Sequence, residues 1–485
     1  MFQEGLLDKT LRNIKKLIPR SVFDFFAPAY HTILAYAGAV AYGFPSRSMK
    51  VIGVTGTKGK STTVFLITKI LEQISKNVEG RPVEGPVEGG PPQGPQGFLW
   101  GGVAAIGSLG FKIKDKEWPN TLKMTMPGRF KLQKFLVEAK RAGCKYVVLE
   151  VTSEGIKQKR HLGIKFDCAV FTNLHKEHIE SHGSFENYYR AKQDLFKKTQ
   201  NIHIINADDP NTALFGDFPA KHKIFYGLNR GDMVASIRQL ADKNENIGSS
   251  FEIYGTTFSI KLAGQFNVLN CLAALSVGAM YGIDLPKMKT VLESIEFIPG
   301  RMEFIPAFVR TSAGETKRFN VVVDYAHTPE SLIQVYQTLK LEILNPKSEI
   351  SSKFQIPNSK PRLICVLGAA GGGRDKWKRP EFGRIAAEYC DEIILTNEDP
   401  YDENPFSILK EIENGFSQLP ITNYQLPKYK IILDRREAIR TALTSAQEGD
   451  AVVITGKGSE MSMAVAGGKK IPWSDKDVVR EALKQ

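Results

Sequence analysis

The chain has 485 residues, enough for about three domains, and 42% of them are hydrophobic and 24% charged. This composition is typical of globular proteins and excludes a wholly disordered, collagen-like or polytopic membrane chain. The net charge of +13 favours an anionic partner, such as a nucleotide, a nucleic acid or a membrane surface. The sequence has no RNA-recognition, zinc-finger or basic-zipper pattern, so we expect no nucleic-acid partner.

Cysteine usage and the N-terminus indicate the compartment in which the chain functions. Five cysteines are spread along the sequence without a CxxC pair, which predicts free thiols in a reducing environment. The sequence shows no cleavable signal peptide. We therefore expect a cytoplasmic location.

Residues 1–49 predict a short helical N-terminal segment. Five basic residues between positions 9 and 20 precede an apolar stretch, residues 22–44. Asp24, Pro28 and His31 interrupt this stretch, whereas a membrane span needs about 20 predominantly apolar residues. We expect one packing helix over 28–44 with Pro28 in its first turn. Peripheral contact of residues 22–44 with the inner face of a membrane is the main alternative.

Beyond residue 49, short apolar runs alternate with helical patterns. Such alternation predicts an α/β fold in which helices cover both faces of mainly parallel sheets. The predicted strands are 50–55, 145–151, 166–172, 202–206, 320–325, 362–368, 391–396 and 451–455. The predicted helices are 60–76, 128–143, 184–199, 265–281, 328–343, 379–389 and 434–447.

Two features suggest how this region divides into domains. Residues 80–97 include eleven Gly or Pro among eighteen, which predicts a flexible surface insertion. A new series of strands and helices begins after Pro299 and Gly300. We expect a central domain over 50–299 that carries the insertion, and a Rossmann-like α/β C-terminal domain over 300–485.

The first predicted strand runs directly into the sequence GTKGKSTT, residues 56–63. Glycines in such a turn let backbone N–H groups surround a phosphate, and the following helix adds the positive end of its dipole. Lys60 is placed to reach the β- and γ-phosphates, and the hydroxyl of Ser61 or Thr62 to ligate Mg²⁺. Val54 stands where the common GxxxxGK[ST] pattern has glycine, so the loop is a GTxGK[ST]T variant. The predicted phosphate-binding residues of this P-loop domain are Gly56, Thr57, Lys58, Gly59, Lys60, Ser61 and Thr62.

This variant loop resembles the ATP loop of the Mur ligase superfamily, whose members form amide bonds in peptidoglycan precursors and in folylpolyglutamate. Further blocks continue the resemblance over residues 50–470, and it is strongest for the members that add the third amino acid of the muramyl peptide. The blocks are TMPGRFKLQKFL (125–136), LEVTSEGIKQKR (149–160), FTNLHKEHIESHGSFENYYRAKQDLF (171–196), NADDP (206–210), GQFNVLNCLAA (264–274), PGRME (299–303), VDYAHTPESL (323–332), GAAGGGRDKWKRPEFG (368–383), LTNEDP (395–400) and GKGSE (456–460).

The resemblance implies an ATP-dependent ligase. In this family a substrate carboxylate attacks the γ-phosphate to give an acyl phosphate and ADP, and the amine of an amino acid then displaces phosphate. Lys, Arg and Mg²⁺ are needed to neutralise the transferring group. Two Mg²⁺ ions are expected, the second held by His178 and by Lys192, which is carbamylated in many members. The implied catalytic and metal-binding residues are Lys60, Ser61, Glu150, His178 and Lys192.

The resemblance also implies residues that hold the nucleotide. Asn267 is expected to contact adenine, although taken alone it is equally a helix cap. Arg301 is expected to reach the phosphates, and Asp324 to bind the ribose hydroxyls with His327 nearby. These residues would close the last domain over ATP.

Muramyl-peptide contacts carry over with two departures from the family. Met126 replaces a second Thr, and Glu154 stands where His is usual. The remaining positions retain suitable residue types. The implied contacts are Thr125, Thr152, Ser153, Gln158 and Arg160.

The N-terminus departs more strongly. In the family a complete uridine-binding domain normally precedes the ATP loop, and the short segment before residue 50 is too small for one. The muramyl substrate is then held by fewer contacts or by a partner, or is lipid-linked at a membrane. The other expected partner is an amino acid, and we expect a monomer.

The amino-acid selector departs as well. Members that add diaminopimelate have Asp-Asn-Pro-Arg, whose Arg binds the distal carboxylate, whereas residues 398–401 here are Glu-Asp-Pro-Tyr. Without the guanidinium, bidentate capture of a carboxylate is lost. The acidic neighbours favour lysine or a similar basic amino acid, unless 397–404 is only an acidic surface loop. The expected amino-acid contacts are Asp399, Tyr401, Ser459 and Glu460.

Two other functions stay open from the sequence. One is a ligase like folylpolyglutamate synthase, or another Mur-type ligase acting on a non-UDP substrate; TMPGRF and LTNEDP argue against glutamate addition to folate. The other is a non-catalytic, membrane-associated scaffold. A scaffold has no need of Lys60, Glu150, His178 or Lys192, so their presence favours an enzyme.

Overall fold

The computed structural model describes residues 20–76, 101–120, 122, 124–239, 248–310, 316–340, 361–418 and 427–484. The chain forms two compact units. The first comprises Met1–Leu174, Glu186–Met233 and Cys271–Met288, and the second comprises His175–Phe185, Val234–Asn270 and Lys289–Gln485. The Gly- and Pro-rich segment 80–97 lies outside the described residues.

The elements follow the predicted alternation of strands and helices. The helices are α1 (Arg20–Ala41), α2 (Lys60–Lys76), α3 (Arg129–Arg141), α4 (Ser153–Lys157), α5 (Ile179–His182), α6 (Phe185–Lys198), α7 (Ala213–Gly216), α8 (Gln265–Met280), α9 (Leu285–Ser294), α10 (Pro329–Thr338), α11 (Lys378–Tyr389), α12 (Pro405–Glu413), α13 (Arg435–Ser445) and α14 (Asp475–Leu483). The strands are β1 (Lys50–Thr55), β2 (Gly102–Gly107), β3 (Gly110–Ile113), β4 (Lys116–Trp118), β5 (Cys144–Glu150), β6 (Cys168–Phe171), β7 (Ile202–Asn206), β8 (His222–Gly227), β9 (Met233–Val234), β10 (Ser236–Gln239), β11 (Ser249–Ile253), β12 (Thr256–Ile260), β13 (Glu303–Arg310), β14 (Thr316–Val323), β15 (Leu363–Leu367), β16 (Glu392–Leu395), β17 (Lys428–Ile431), β18 (Ala451–Ile454), β19 (Ser462–Val465) and β20 (Lys469–Pro472).

The first unit is built on a mixed sheet with the order β4-β3-β2-β5-β1-β6-β7-β8-β9. Strand β1 pairs in parallel with β5 and β6, while β3 and β4 form an antiparallel edge. Val51, Ile52 and Val54 of β1 are fully buried, as expected of a central strand covered on both faces. The carboxyl ends of β1 and β5 therefore lie side by side, which is where α/β sheets place ligands.

Helix α1 packs on the first unit through small residues. Ala35 and Ala39 are buried, and Ala39 lies so close to Gly163 that a side chain at position 163 would clash with it. The prediction that this helix begins near Pro28 is wrong, because the described helix already runs from Arg20 and Pro28 lies in its interior. No helix among the described residues is long and apolar enough to cross a membrane. Among the described side chains of α1, the large apolar ones that are exposed are Phe25, Phe26, Ile33, Tyr36 and Val40.

The second unit contains a sheet with the order β13-β14-β18-β15-β16-β17. Strands β14, β18, β15, β16 and β17 run parallel to one another, and β13 pairs antiparallel with β14 at the edge. Leu332, Ile385 and Ile412 cover one face from α10, α11 and α12, and Ile439 and Val479 cover the other from α13 and α14. This two-sided covering confirms the predicted Rossmann-like α/β fold.

The cysteine prediction is wrong for two of the five residues. Cys365 in β15 and Cys390 at the end of α11 form a disulfide, with Cα atoms 6.1 Å apart. They are 25 residues apart in sequence, and strand–helix packing in the core brings them together. Cys144, Cys168 and Cys271 are free and buried.

Candidate active site

The predicted phosphate loop connects β1 to α2 and is held against the residues that follow strand β6. Gly56 has φ +150°, and a Cβ there would lie 2.0 Å from the Thr172 hydroxyl oxygen, so only glycine fits. The N–H groups of Thr57 and Lys58 donate to the backbone and side-chain oxygens of Asn173, at 2.9 and 2.8 Å. These contacts hold the loop in a defined conformation.

Helix α2 begins at Lys60, immediately after the loop. The Lys60 Nζ donates to the carbonyl of Thr57 at 2.8 Å, so the ammonium folds back over the loop. Ser61 and Thr62 are buried in the first turn. A lysine, two hydroxyls and a helix N-terminus therefore meet at one point, as phosphate binding requires.

Glu150 ends β5 and lies beside this point. Its carboxylate accepts hydrogen bonds from the Ser61 hydroxyl at 3.2 Å and from the N–H and hydroxyl of Ser108 at 2.8 and 2.9 Å. The Ser108 hydroxyl is in turn 3.2 Å from that of Thr125. Hydroxyl and carboxylate oxygens are hard ligands, and Mg²⁺ is commonly held by one or two protein groups together with substrate phosphates. The pair Ser61 and Glu150 fits such an ion.

Lys192 is buried, whereas a helical lysine taken alone is normally solvated. Its Nζ donates to the carbonyl of Gly56 at 2.6 Å and lies 4.6 Å from the ring centre of Tyr188. The Tyr188 hydroxyl contacts that of Thr57 at 3.0 Å. Helix α6 thus brings Lys192 to the underside of the phosphate loop.

The predicted muramyl-peptide residues share the first unit with the loop. Thr152 caps α4 by accepting the N–H of Gly155 at 3.1 Å, and Ser153 is buried beside it. Arg160 donates to the side-chain oxygen of Gln158 at 2.7 Å and to the carbonyl of Met126. Thr125 joins this group to the Glu150 network through Ser108.

The predicted nucleotide contacts lie in the second unit. The Asn267 amide donates to the carbonyl of Ala263 at 2.8 Å, and the Arg301 guanidinium lies 4.4 Å from the ring centre of Tyr325. Asp324 follows β14 and accepts two backbone N–H groups, from Met302 at 2.7 Å and Ala326 at 2.6 Å. None of these three predicted residues is among those lining the cavity described next.

A cavity of about 700 Å³, its open mouth included, lies at the carboxyl ends of the strands in the second unit. Five of the predicted residues line it: His178, His327, Asp399, Tyr401 and Glu460. The backbone N–H of His178 donates to Asp375 at 2.8 Å, and the His327 Nε2 lies 3.5 Å from the Glu177 carboxylate. Ser459 is not among the residues that line the cavity, and its backbone nitrogen leaves no room for a side chain at Gly300.

The acidic side of the cavity is organised by a buried lysine. Lys457 Nζ lies 3.0 Å from the Asp399 carboxylate and 2.5 Å from that of Glu460. Asp399 also accepts the N–H of Ala464 at 2.6 Å, and Glu460 accepts from the Tyr325 hydroxyl at 3.3 Å. Asp399 is therefore already neutralised by a residue of the chain.

Sequence reasoning assigned no role to two other groups that line the cavity, Arg374 and Glu398. Burial opposes the charge of Arg374, but interactions with Tyr325, Tyr401 and Glu177 raise its pKa, and Arg374 is hydrogen-bonded to the Tyr401 side chain. Burial raises the pKa of Glu398 to about 7, against the opposing effect of Lys457 and Arg435. Arg374 lies in the GGGRDKWKRP block, so the resemblance of this block to the family is the signal from which its place in the site could have been predicted.

The described residues contain no cluster of three or more His, Cys, Asp and Glu that could enclose a metal ion.

Comparison with known proteins matches both parts of the chain. Residues 54–278 match the Mur ligase middle domain, and residues 300–458 match the glutamate ligase domain of Mur ligases. A UDP-N-acetylmuramoyl-L-alanyl-D-glutamate–2,6-diaminopimelate ligase of Syntrophomonas wolfei is 34% identical over 94% of this chain and 83% of its own length. A UDP-N-acetylmuramyl-tripeptide synthetase of a Roseiflexus species is 33% identical over 94% of this chain and 82% of its own length.

A solved structure supports the same assignment. It is described as a UDP-N-acetylmuramoyl-L-alanyl-D-glutamate–2,6-diaminopimelate ligase, is 29% identical, and covers 90% of this chain and 78% of its own with a TM-score of 0.53. The sequence matches extend over nearly the whole chain and include both functional regions. The chain belongs to the Mur ligase family.

Proposed function

We propose that this protein is an ATP-dependent ligase that joins an amino acid to the carboxylate of a muramyl peptide through an acyl phosphate. The observation that carries the proposal is the network in which Ser61, Ser108 and Glu150 meet beside Lys60 at the phosphate loop. A protein without catalysis has no use for a buried carboxylate at this point. The resemblance of the relatives to this chain supports the same peptidoglycan reaction.

ATP would bind with its phosphates in the loop between β1 and α2. Lys60 and the N–H groups at the start of α2 would hold the β- and γ-phosphates, and Ser61 and Glu150 would ligate Mg²⁺. The ion would neutralise charge on the phosphates when bound. Thr172 packs so closely against Gly56 that it helps to hold the loop in position for phosphate binding.

The first chemical step joins two anions, so the chain must hold them together against repulsion. A carboxylate oxygen of the muramyl peptide attacks the γ-phosphorus, the bond to the β,γ-bridging oxygen breaks, and ADP leaves. Thr125 belongs to the Ser108–Glu150 network and Arg160 contacts the carbonyl of Met126, the next residue, and both would position that carboxylate. Positioning and charge neutralisation are the main contributions of a protein to such a step.

The second step forms the amide. The neutral amine of the amino acid attacks the acyl carbon, inorganic phosphate leaves, and the amine loses a proton. The cavity of the second unit offers a guanidinium, Arg374, for a carboxylate of the amino acid. The incoming amine needs a base that accepts its proton, and such a base works best when its pKa lies near neutral pH. Among the carboxyl groups that line the cavity, Glu398 fits this best, because burial raises its pKa to about 7.

Lys192 is proposed to be carbamylated and to serve as a ligand of a second Mg²⁺ at the phosphate loop. A carbamate converts the buried cation into an anion with two oxygen ligands. The present contact of its Nζ with the Gly56 carbonyl places the side chain at the phosphate loop, where such an anion would be useful.

The amino acid is proposed to be lysine or a similar basic residue rather than diaminopimelate. Tyr401 has no charge to offer a distal carboxylate, and Arg374, the guanidinium beside it, is available for only one carboxylate. Lys457 contacts both Asp399 and Glu460, so one cation offsets two carboxylates and the pair keeps a net negative charge that would attract an ammonium.

The protein is proposed to work as a monomer in the cytoplasm, with α1 lying against the inner face of the membrane. Support comes from the exposed apolar side chains of α1, including Phe25, Phe26 and Ile33, and from the basic residues that precede it. Flotation with vesicles of anionic and of neutral lipid tests this contact. Binding only to anionic vesicles is expected, and a double change of Phe25 and Phe26 to Ser should remove it.

The acyl phosphate can be tested directly with an isotope. A muramyl peptide labelled with ¹⁸O in its carboxylate is incubated with ATP, Mg²⁺, lysine and the protein. One labelled oxygen should appear in inorganic phosphate, because the bond from carbon to that oxygen breaks in the second step. Amide product with unlabelled phosphate would contradict the proposed mechanism.

A further inference from the structure

A fully buried ion pair joins the starts of the two helices that cover one face of the second unit's sheet. Arg435 opens α13 and Asp475 opens α14, and neither side chain is exposed to solvent. The contact is bidentate, because Nε and Nη2 of the guanidinium each donate to one carboxylate oxygen at 2.8 Å. Removing two charges from water is costly, and apolar residues often give a fold as much stability as a buried ion pair does. Stability alone therefore does not account for this pair.

The same guanidinium also holds two loops at the carboxyl ends of the strands. Its Nη2 donates to the carbonyl of Thr455 at 2.8 Å, and its Nη1 donates to the carbonyl of Asn397 at 3.2 Å. Thr455 directly follows β18, and Asn397 lies two residues after the end of β16. Strand β15 lies between these two strands in the sheet. Arg435 therefore spans β15 and fixes the spacing of the loops on either side of it.

Both loops continue directly into the cavity of the second unit. The residues that follow the two carbonyls are Glu398 and Gly456, which line the cavity and pack so closely that a Cβ at position 456 would lie 2.4 Å from the Glu398 carboxylate. One residue further along each loop, the Lys457 Nζ lies 3.0 Å from the Asp399 carboxylate. Arg435 is not among the lining residues, so it acts on the cavity through these two loops and not by contact with a ligand.

We propose that Arg435, oriented by Asp475, is a positioning residue for the incoming amino acid. By fixing the spacing of the loops after β16 and β18, it sets where Glu398, Asp399 and Lys457 present their charges to that substrate. The groups of a binding site must be held close to their productive geometry, which requires supporting residues whose own conformation is locked. The inference rests on the proposed function and adds to it two residues, outside the cavity lining, on which binding of the amino acid depends.

An ion pair at the opposite edge of the same sheet supplies a matched control. Arg362 immediately precedes β15 and Asp450 immediately precedes β18, and the Arg362 guanidinium donates to the Asp450 carboxylate at 2.8 and 3.1 Å. This pair joins the amino ends of two parallel strands, and neither residue lines the cavity. Its loss should lower the free energy of unfolding without affecting the amino acid.

The test compares two double variants, each of which removes a whole ion pair and leaves no uncompensated buried charge. Arg435→Met combined with Asp475→Asn should raise the KM for lysine about tenfold to a hundredfold, the order of loss that a misplacement of about 1 Å causes. It should leave the KM for ATP and for the muramyl peptide unchanged. Arg362→Met combined with Asp450→Asn should leave all three KM values unchanged.

A single variant keeps the test valid if the first double variant does not fold. Arg435→Lys retains the charge beside Asp475, but one ammonium cannot reproduce the planar fork that reaches the carboxylate and both carbonyls. It should therefore also raise the KM for lysine and leave the KM for ATP unchanged.

Hydrogen–deuterium exchange without any substrate separates this inference from the proposed function. Amide exchange in segments 396–401 and 455–460 should be faster in the variants of Arg435 than in the wild type, and unchanged in the control double variant. Unchanged exchange in both segments would overturn the positioning role, as would a wild-type KM for lysine, an equal rise in KM for all three substrates, or the same rise for lysine in the control. Absence of ligase turnover by the wild type, together with the expected change in exchange, would instead count against the proposed reaction alone.

Discussion

The Nζ of Lys192 lies 2.6 Å from the carbonyl oxygen of Gly56, so a lysine of helix α6 supports the loop that follows β1. The two residues are 136 positions apart in sequence. Gly56 is itself confined, because any side chain there would collide with Thr172. The phosphate loop is thus held by Thr172 on one side and by Lys192, the lysine proposed to be carbamylated, on the other.

Replacing Lys192 with Ala should reduce ADP formation about tenfold to a hundredfold, the range found when groups that support a metal site are removed. Added formate or acetate should restore part of the activity, because a small carboxylate can occupy the place of the carbamate. ADP formation is measured at saturating ATP with and without the added acid.

The control for this variant is Lys198→Ala, an exposed lysine on the same helix. It should keep full activity and show no response to acetate. Full activity of Lys192→Ala without any carboxylate would show that the second-metal proposal is wrong, whereas loss of activity without rescue would limit Lys192 to supporting the loop.

Lys60→Met should lower turnover roughly a hundredfold or more, comparable with the loss of one group that stabilises transition-state charge. Its melting temperature should stay close to that of the wild type, since the native ammonium makes one described hydrogen bond to the loop. Lys69→Met, on the outer part of α2, serves as the control and should remain active. A folded Lys60→Met protein that forms ADP at the wild-type rate would disprove the ATP-site assignment.

Much of the fold follows from the sequence, and particular elements show why. Strand β1 and helix α2 were predicted with the residues that the structure has, 50–55 and 60–76, because an apolar run meets a glycine loop and then a helical pattern. Strands β2 to β4 were not predicted. Their residues are Gly-rich or charged, and pairing with β5 and with one another defines them rather than local preference.

The site divides in a similar way. The phosphate loop, Glu150 and the lining residues Asp399 and Glu460 follow from motifs, since their chemistry is local in sequence. The burial of Lys192, the pairing of Asp399 with Lys457 and the contact of Arg374 with Tyr401 depend on packing between distant segments. Arg435 and Asp475 are 40 residues apart, and no pattern in the sequence connects them.

Glu398 predicts a pH dependence of stability. Burial raises its pKa to about 7 in the folded protein, above the ordinary value, so the folded state holds a proton that the unfolded state loses earlier. Its contribution to the free energy of unfolding therefore falls as pH rises between about 4.5 and 7. The Glu398→Gln variant has no carboxyl group to ionise at this position, so its free energy of unfolding does not fall in this way. At pH 8 it should therefore be more stable than the wild type by up to about 3 kcal/mol.

Urea denaturation of both proteins at pH 5 and pH 8 measures this effect. The difference in unfolding free energy between Glu398→Gln and the wild type should increase with pH. A difference that is the same at both pH values would mean that Lys457 and Arg435 keep Glu398 ionised in the folded state.

Amino-acid selection gives a fourth prediction. With lysine and diaminopimelate at equal concentration, the wild type should incorporate mainly lysine, because an unpaired carboxylate beside Tyr401 and the acidic groups is unfavourable. Tyr401→Arg should shift incorporation toward diaminopimelate, and Tyr401→Phe, which adds no charge, should not. Product masses give the ratio, and predominant incorporation of diaminopimelate by the wild type would refute the preference.

The central claim is that ATP cleavage by the phosphate loop is coupled to amide formation on a muramyl peptide. The most direct measurement is ADP release by the purified full chain with Mg²⁺ and ATP, with the muramyl dipeptide and lysine each added and omitted in turn. The account predicts rapid release only when both substrates are present, one peptide product for each ADP, and release roughly a hundredfold or more slower by Lys60→Met. ADP release that is independent of the muramyl peptide, or no release under any of these conditions, would contradict it.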